Sequence, residues 1–228
     1  MPTFVSMKMN KTDWRKIAAL AFVFVVGLSI SYYMVKPQKT LPIYNPSDLD
    51  RRLVEDSLQR KGKDHTVLPF KLVDQYGDTI TEGVTEGKNY VADFFFTTCP
   101  GICKDMAVQK RRLQDATIQY DDFIMLSHTV TPEIDSVPVM KAYADLQGAK
   151  KGKWYLLTGD KPQIYHLARA SYFSVLDEGG NGDENDFIHT ENFVLVDKRG
   201  RLRGFYDGTS AEDVDRLIAD LKILEAKK

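Results

Sequence analysis

Cys99 and Cys103 are the only two cysteines in the chain, and three residues separate them. An apolar run, Asp93-Phe94-Phe95-Phe96-Thr97-Thr98, leads into the first, and a helical pattern begins at the second. Thiols at a strand-to-helix junction suit two kinds of chemistry. They can cycle between dithiol and disulfide, or their soft sulfurs can hold one metal ion. A helix start at Cys103 presents N–H groups and a dipole that favour thiolate, and Pro100 and Gly101 let the backbone bend between the sulfurs. Lys104 beside them lowers thiol pKa, which helps both chemistries. Two cysteines are too few for a disulfide scaffold, so the close pair marks a site.

Other residues with chemical potential are few. Of the four histidines, His128 follows a buried strand and is placed at the sheet edge that carries the cysteines, as an auxiliary ligand or a structural residue. His166 falls inside a helical pattern as a surface or packing residue, His65 carries no role, and His189 is a loop histidine or a ligand. Asp93 lies six residues before Cys99, where a buried carboxylate either exchanges protons with the thiols or is simply hydrogen-bonded at the sheet. Met106, three residues after Cys103, reads as core packing rather than as a thioether ligand.

The elements that must position these residues follow from patterning. The chain has 228 residues, 43% hydrophobic and 11% aromatic, enough to bury a full core. Its net charge of −1 gives no sign of nucleic-acid binding. Residues 1–16 form a tail rich in Lys and Arg, and 17–35 an uncharged run approaching the roughly 30 Å of a bilayer's apolar interior. That run reads as an uncleaved transmembrane anchor with the N-terminus in the cytoplasm and the rest of the chain on the periplasmic, outer side. Residues 36–64, with Pro37, Pro42 and Pro46, form a linker. The domain from 65 to 228 opens with a hairpin turning at Gln75-Tyr76-Gly77-Asp78. Strands at Tyr90–Phe96, Phe123–Leu126 and Trp154–Leu157 alternate with helices from Cys103 to about Ile118, from a cap at Ser136 to Leu146, and after Asp160. An acidic loop, residues 177–186, precedes a last hairpin turning at Asp197-Lys198-Arg199-Gly200, and Ser210 caps a closing amphipathic helix. The order predicts an α/β, thioredoxin-like three-layer sandwich with an N-terminal hairpin extension.

The segments from Asp93 to Cys103, Ser127 to Tyr143 and Phe187 to Val196 together resemble the Sco/SenC family of membrane-anchored, thioredoxin-fold copper-binding proteins. Its T-x-C-P-x-x-C loop is matched by Thr97, Cys99, Pro100 and Cys103, and its D-H-T-like segment by His189-Thr190, 86 residues after Cys103. The likeness runs from about His65 to the end. Two departures stand out: Gly101 and Lys104 replace the usual Asp between the cysteines and Pro after the second. Ser127-His128-Thr129-Val130-Thr131-Pro132 replaces S-x-D-P, with His128 where an acid is usual. The resemblance implies one copper ion held by Cys99, Cys103 and His189. Thiolates suit Cu(I) and imidazole serves Cu(II), while a closed zinc site would want a fourth donor that the sequence does not supply. It further implies a metallochaperone delivering copper to the copper-bearing subunit of cytochrome c oxidase, not an enzyme in the ordinary sense. The rival is a membrane-tethered thiol–disulfide oxidoreductase in which Cys99 and Cys103 reduce a partner's cysteines.

Overall fold

The computed structural model describes residues 11–35, 39–49, 54, 64–99, 101–174 and 190–226. His189, Pro100, the acidic loop 177–186 and most of the linker lie outside the described residues. The chain divides into two compact units, Met1–Thr40 and Leu41–Lys228. In the first, helix α1 (Lys11–Val35) contains a span, Trp14–Tyr33, long and apolar enough to cross a membrane.

The second unit is a seven-stranded sheet between helices. A hairpin, β1 (Lys71–Asp74) and β2 (Thr79–Thr81), precedes β3 (Asn89–Phe95), α2 (Cys103–Thr117), β4 (Phe123–Thr129), α3 (Val137–Gln147), β5 (Trp154–Thr158) and α4 (Lys161–His166). A second hairpin, β6 (Asn192–Val196) and β7 (Leu202–Asp207), leads into α5 (Ala211–Glu225). The sheet order is β2-β1-β5-β4-β3-β6-β7, with β3, β4 and β5 parallel and the flanking pairs antiparallel. This is the expected thioredoxin-like sandwich with its hairpin extension.

Local chemistry fixes the turns. Asp74 accepts from the backbone N–H groups of Tyr76 (2.8 Å) and Asp78 (2.9 Å), and Gly77 supplies the left-handed position at φ +85°. Asp160 accepts from the Gln163 N–H and Ser210 from that of Asp213, capping α4 and α5. Ser136 takes the cap position of α3 without a side-chain capping bond, contrary to expectation; Pro138 in the first turn carries no N–H for it to receive.

Because β3→β4→β5 steps in one direction, both crossover helices sit on one face of the sheet. That face packs Val91, Phe95, Phe123, Met125 and Trp154 against α2, α3 and α5. The other face packs Tyr90, Phe94, Ile124 and Leu126 against α4 and the turn of wide helix after it, with Tyr172 and Phe173. The domain begins ahead of the expected boundary at 65. Tyr44 bridges to Leu202, and the Arg203 guanidinium donates to the carbonyls of Leu41 (2.6 Å) and Pro42 (2.7 Å). A buried arginine needs acceptors, and this end of the presumed linker supplies them.

Candidate metal and thiol site

Strand β3 points its odd residues, Val91, Asp93 and Phe95, toward α2, and the chain then turns so that Cys103 opens that helix. Both thiols are buried and free. Ile102, at the cap position of α2, has no side-chain acceptor to offer the first turn. The Cys99 sulfur takes that place, receiving hydrogen bonds from the N–H groups of Gly101 and Cys103 and from the Cys103 thiol. Burial raises the Cys99 pKa, but these bonds and the nearby Lys104 outweigh it, so Cys99 ends below the ordinary thiol value. Cys103 is pushed the other way, up to about 12, by burial and by its bond to Cys99. The two sulfurs are thus set apart, Cys99 the more acidic and Cys103 the hydrogen-bond donor to it.

Beneath the thiols lies a buried ion pair. Lys110 follows Cys103 by seven residues on the same helix face, and its Nζ stands 2.7 Å from Asp93 Oδ2. The ammonium also sits 4.5 Å from the Phe95 ring centroid, and Ser127 Oγ donates to Asp93 Oδ1. Asp93 is therefore engaged by Lys110 and Ser127, not left to serve the thiols alone. The one signal for Lys110 in the sequence is its place on the apolar stripe that holds Met106, Ala107 and Leu113, which does not by itself point to Asp93.

A second buried carboxylate, Asp135, holds the cysteine loop from the side. It accepts from the Thr97 backbone N–H (3.2 Å) and from the hydroxyls of Thr97, Thr129 and Thr131. Thr97 is thereby fixed two residues before Cys99. Sequence reasoning passed over Asp135, because Thr97, the partner that ties it to the cysteine loop, lies 38 positions away.

Other expectations divide: that for His128 is corrected, while those for Met106 and His166 agree with the fold. Strand β4 continues through Thr129 rather than ending at Leu126, so His128 keeps the parity of Leu126 and faces away from the cysteines. It stacks on Phe94 (ring centroids 5.0 Å apart), its Nδ1 bonds the Asp93 carbonyl at 3.2 Å, and its Nε2 has no partner among the described residues. Burial lowers its pKa to about 4. It is no ligand at the cysteine edge. Gly101 has no left-handed backbone, and a Cβ there would meet nothing within 4 Å among the described residues, so its backbone does not call for glycine. Met106 is core. His166 is exposed, and His65 Nε2 lies 2.9 Å from the Ser171 carbonyl.

The thiols open onto a cleft of about 460 Å³ between α2 and α3. A model of the SCO1/SenC family matches residues 58–224, well over half of the chain. The chain belongs to the SCO1/SenC family. Among SCO1/SenC relatives, a SCO2-like protein of Rickettsia prowazekii (strain Madrid E) is 30% identical over 217 residues, covering 93% of this chain and 98% of the relative. The solved structure of BsSco, described as a member of the Sco family of cytochrome c oxidase assembly proteins with a disulfide switch, superposes with a TM-score of 0.61 at 26% identity. It covers 77% of this chain and 99% of that one. Bradyrhizobium japonicum ScoI with copper bound gives a TM-score of 0.55 at 25% identity, covering 71% and 99%.

Proposed function

We propose that this SCO1/SenC protein is a copper metallochaperone that takes up one copper ion through Cys99, Cys103 and His189 and passes it to the copper centre of a cytochrome c oxidase. The observation that carries the reading is the pair of free cysteines at the head of α2, buried yet opening onto a cleft. Soft sulfur donors favour Cu(I), and an imidazole from His189 adds a donor that also suits Cu(II). The relatives support the same cargo, since ScoI was solved with copper bound and BsSco is described as an oxidase assembly protein. Residues 17–35, which share most of the apolar span Trp14–Tyr33, are read as a single-pass anchor, with residues 1–16 in the cytoplasm and the domain held on the outer side of the membrane.

Titration of the reduced full chain in detergent with Cu(I) and Cu(II), beside His189→Ala, tests this. One equivalent of each state is expected to bind tightly, with the Cu(II)–thiolate absorption lost in His189→Ala. Weak binding that ignores His189 would contradict the ligand set.

One observation favours a second reading. The opposed pKa shifts of Cys99 and Cys103 also suit thiol–disulfide exchange, with the Cys99 thiolate attacking a partner disulfide and Cys103 resolving the mixed disulfide. Rapid reduction of a model disulfide that survives His189→Ala, together with negligible copper binding, would select it.

A further inference from the structure

The cleft beside the thiols continues as a groove with a definite character. Along α2 it is lined by Lys104, Ala107, Val108 and Arg111, and across from them by Tyr143 and Leu146 of α3. Leu146 is 77% exposed and Val108 43%, two large apolar side chains left in solvent beside the buried pair Cys99 and Cys103. From Cys103 to Arg111 the helix advances about 12 Å, the reach of three or four extended residues.

The charges along this groove are one-sided. On α2, Lys110 is matched by Asp93 and Arg112 by Asp215, whereas neither Lys104 nor Arg111 pairs with a carboxylate among the described residues. Arg111 is held across the groove by the Gln147 side-chain carbonyl, its one side-chain hydrogen bond among the described residues, so most of its five N–H donors meet no described acceptor. The nearest acid on α3, Asp145, is taken by Lys141. Apolar contact surface flanked by two cations that no described carboxylate pairs, and ending at reactive sulfur, complements an acidic segment with an apolar residue.

We propose that the α2–α3 groove is the docking site for a short extended acidic segment of a partner protein, carrying an apolar residue and a cysteine that it brings to Cys99. The proposal rests on reading Cys99 and Cys103 as a site that exchanges cargo or disulfide with another protein. Leu146 and Val108 receive the apolar residue, and Lys104 and Arg111 receive the carboxylates.

The test uses the reduced full chain in non-ionic detergent and three synthetic hexapeptides. Each has one cysteine next to a leucine, flanked by glutamates, lysines or serines, and each cysteine is blocked as its 2-thiopyridyl disulfide. The Cys99 thiolate attacks the peptide sulfur and a Cys99–peptide disulfide forms. The bond to the blocking group breaks, releasing 2-thiopyridone after uptake of one proton from water. Any later attack by Cys103 frees the peptide thiol without further thiopyridone, so release reads the first step alone.

The serine peptide reports intrinsic thiol reactivity. At low ionic strength the glutamate peptide is expected to react about tenfold faster than the lysine peptide, with the ratio collapsing in about 1 M salt. Arg111→Glu should abolish or invert that ratio, and Leu146→Gln should slow all three peptides. Equal rates in the wild type, or a ratio untouched by Arg111→Glu, would overturn the docking site. Copper stoichiometry, measured on the same proteins, separates the two readings. Normal copper binding without peptide preference refutes only the groove, and peptide preference without copper binding refutes only the copper cargo.

Discussion

The two faces of the central sheet treat buried polar groups in opposite ways. On the α2 face, Asp93, Lys110 and Ser127 are joined in one network, and Asp135 gathers Thr97, Thr129 and Thr131 in another. Every one of these carboxylates is answered by donors, and both networks brace the loop or helix that carries the thiols. On the other face the buried His128 is set among Phe70, Phe94 and Tyr172, with one ring nitrogen unanswered among the described residues. An unsatisfied buried acceptor costs about 1–3 kcal/mol. The paired face holds a site in place, whereas the aromatic face accepts a fixed cost and a sensitivity to acid.

Breaking the paired face one partner at a time should have the largest effect. Lys110→Met leaves the Asp93 carboxylate buried beside Ser127 alone, and about 3–5 kcal/mol of stability should be lost in urea unfolding. Adding Asp93→Leu should restore much of it, because the cost lies in the orphaned charge. Losses that simply add would show that the two side chains do not act as a pair. Asp135→Ala should cost somewhat less, about 3 kcal/mol, since it strands three hydroxyls and one N–H that retain local alternatives. It should also weaken copper binding by freeing Thr97, while an unchanged copper affinity would deny Asp135 any part in positioning the loop.

The aromatic face should respond to pH instead. The His128 pKa is lowered in the fold, so the unfolded chain takes up a proton below pH 6.5 that the folded protein refuses until about pH 4. Stability from this group is therefore complete above that window and falls as pH drops through it. Between pH 7.5 and 5 the loss should be about 2 kcal/mol, read as the difference between wild type and His128→Leu. Parallel pH profiles for the two proteins would sink this assignment. Gly101→Asp, which introduces the acid usual in the family, should change stability least, within about 0.5 kcal/mol, because a Cβ there meets nothing among the described residues.

What the sequence could and could not convey follows the range of each interaction. The thiol pair, the element order and both hairpin turns are local signals, carried by spacing, periodicity and side chains such as Asp74 and Asp197 that bond their own turns. His128 was misplaced by three residues of strand length, since in a strand each residue of register reverses the face. Asp135 joins Thr97 across 38 positions, and Arg203 reaches Leu41 across 162, distances at which no local pattern operates. Lys110 lay in between: its position on the stripe was visible, and its buried partner Asp93 was visible, but only the packing of α2 on β3 joins them.

The most direct test of the copper site is X-ray absorption at the copper edge on the Cu(I)-loaded full chain. Two sulfur neighbours and one nitrogen are expected, with the nitrogen lost in His189→Ala and one sulfur lost in each of Cys99→Ser and Cys103→Ser. A copper environment with one sulfur or none in the wild-type protein, or one unchanged by removing either cysteine, would contradict it.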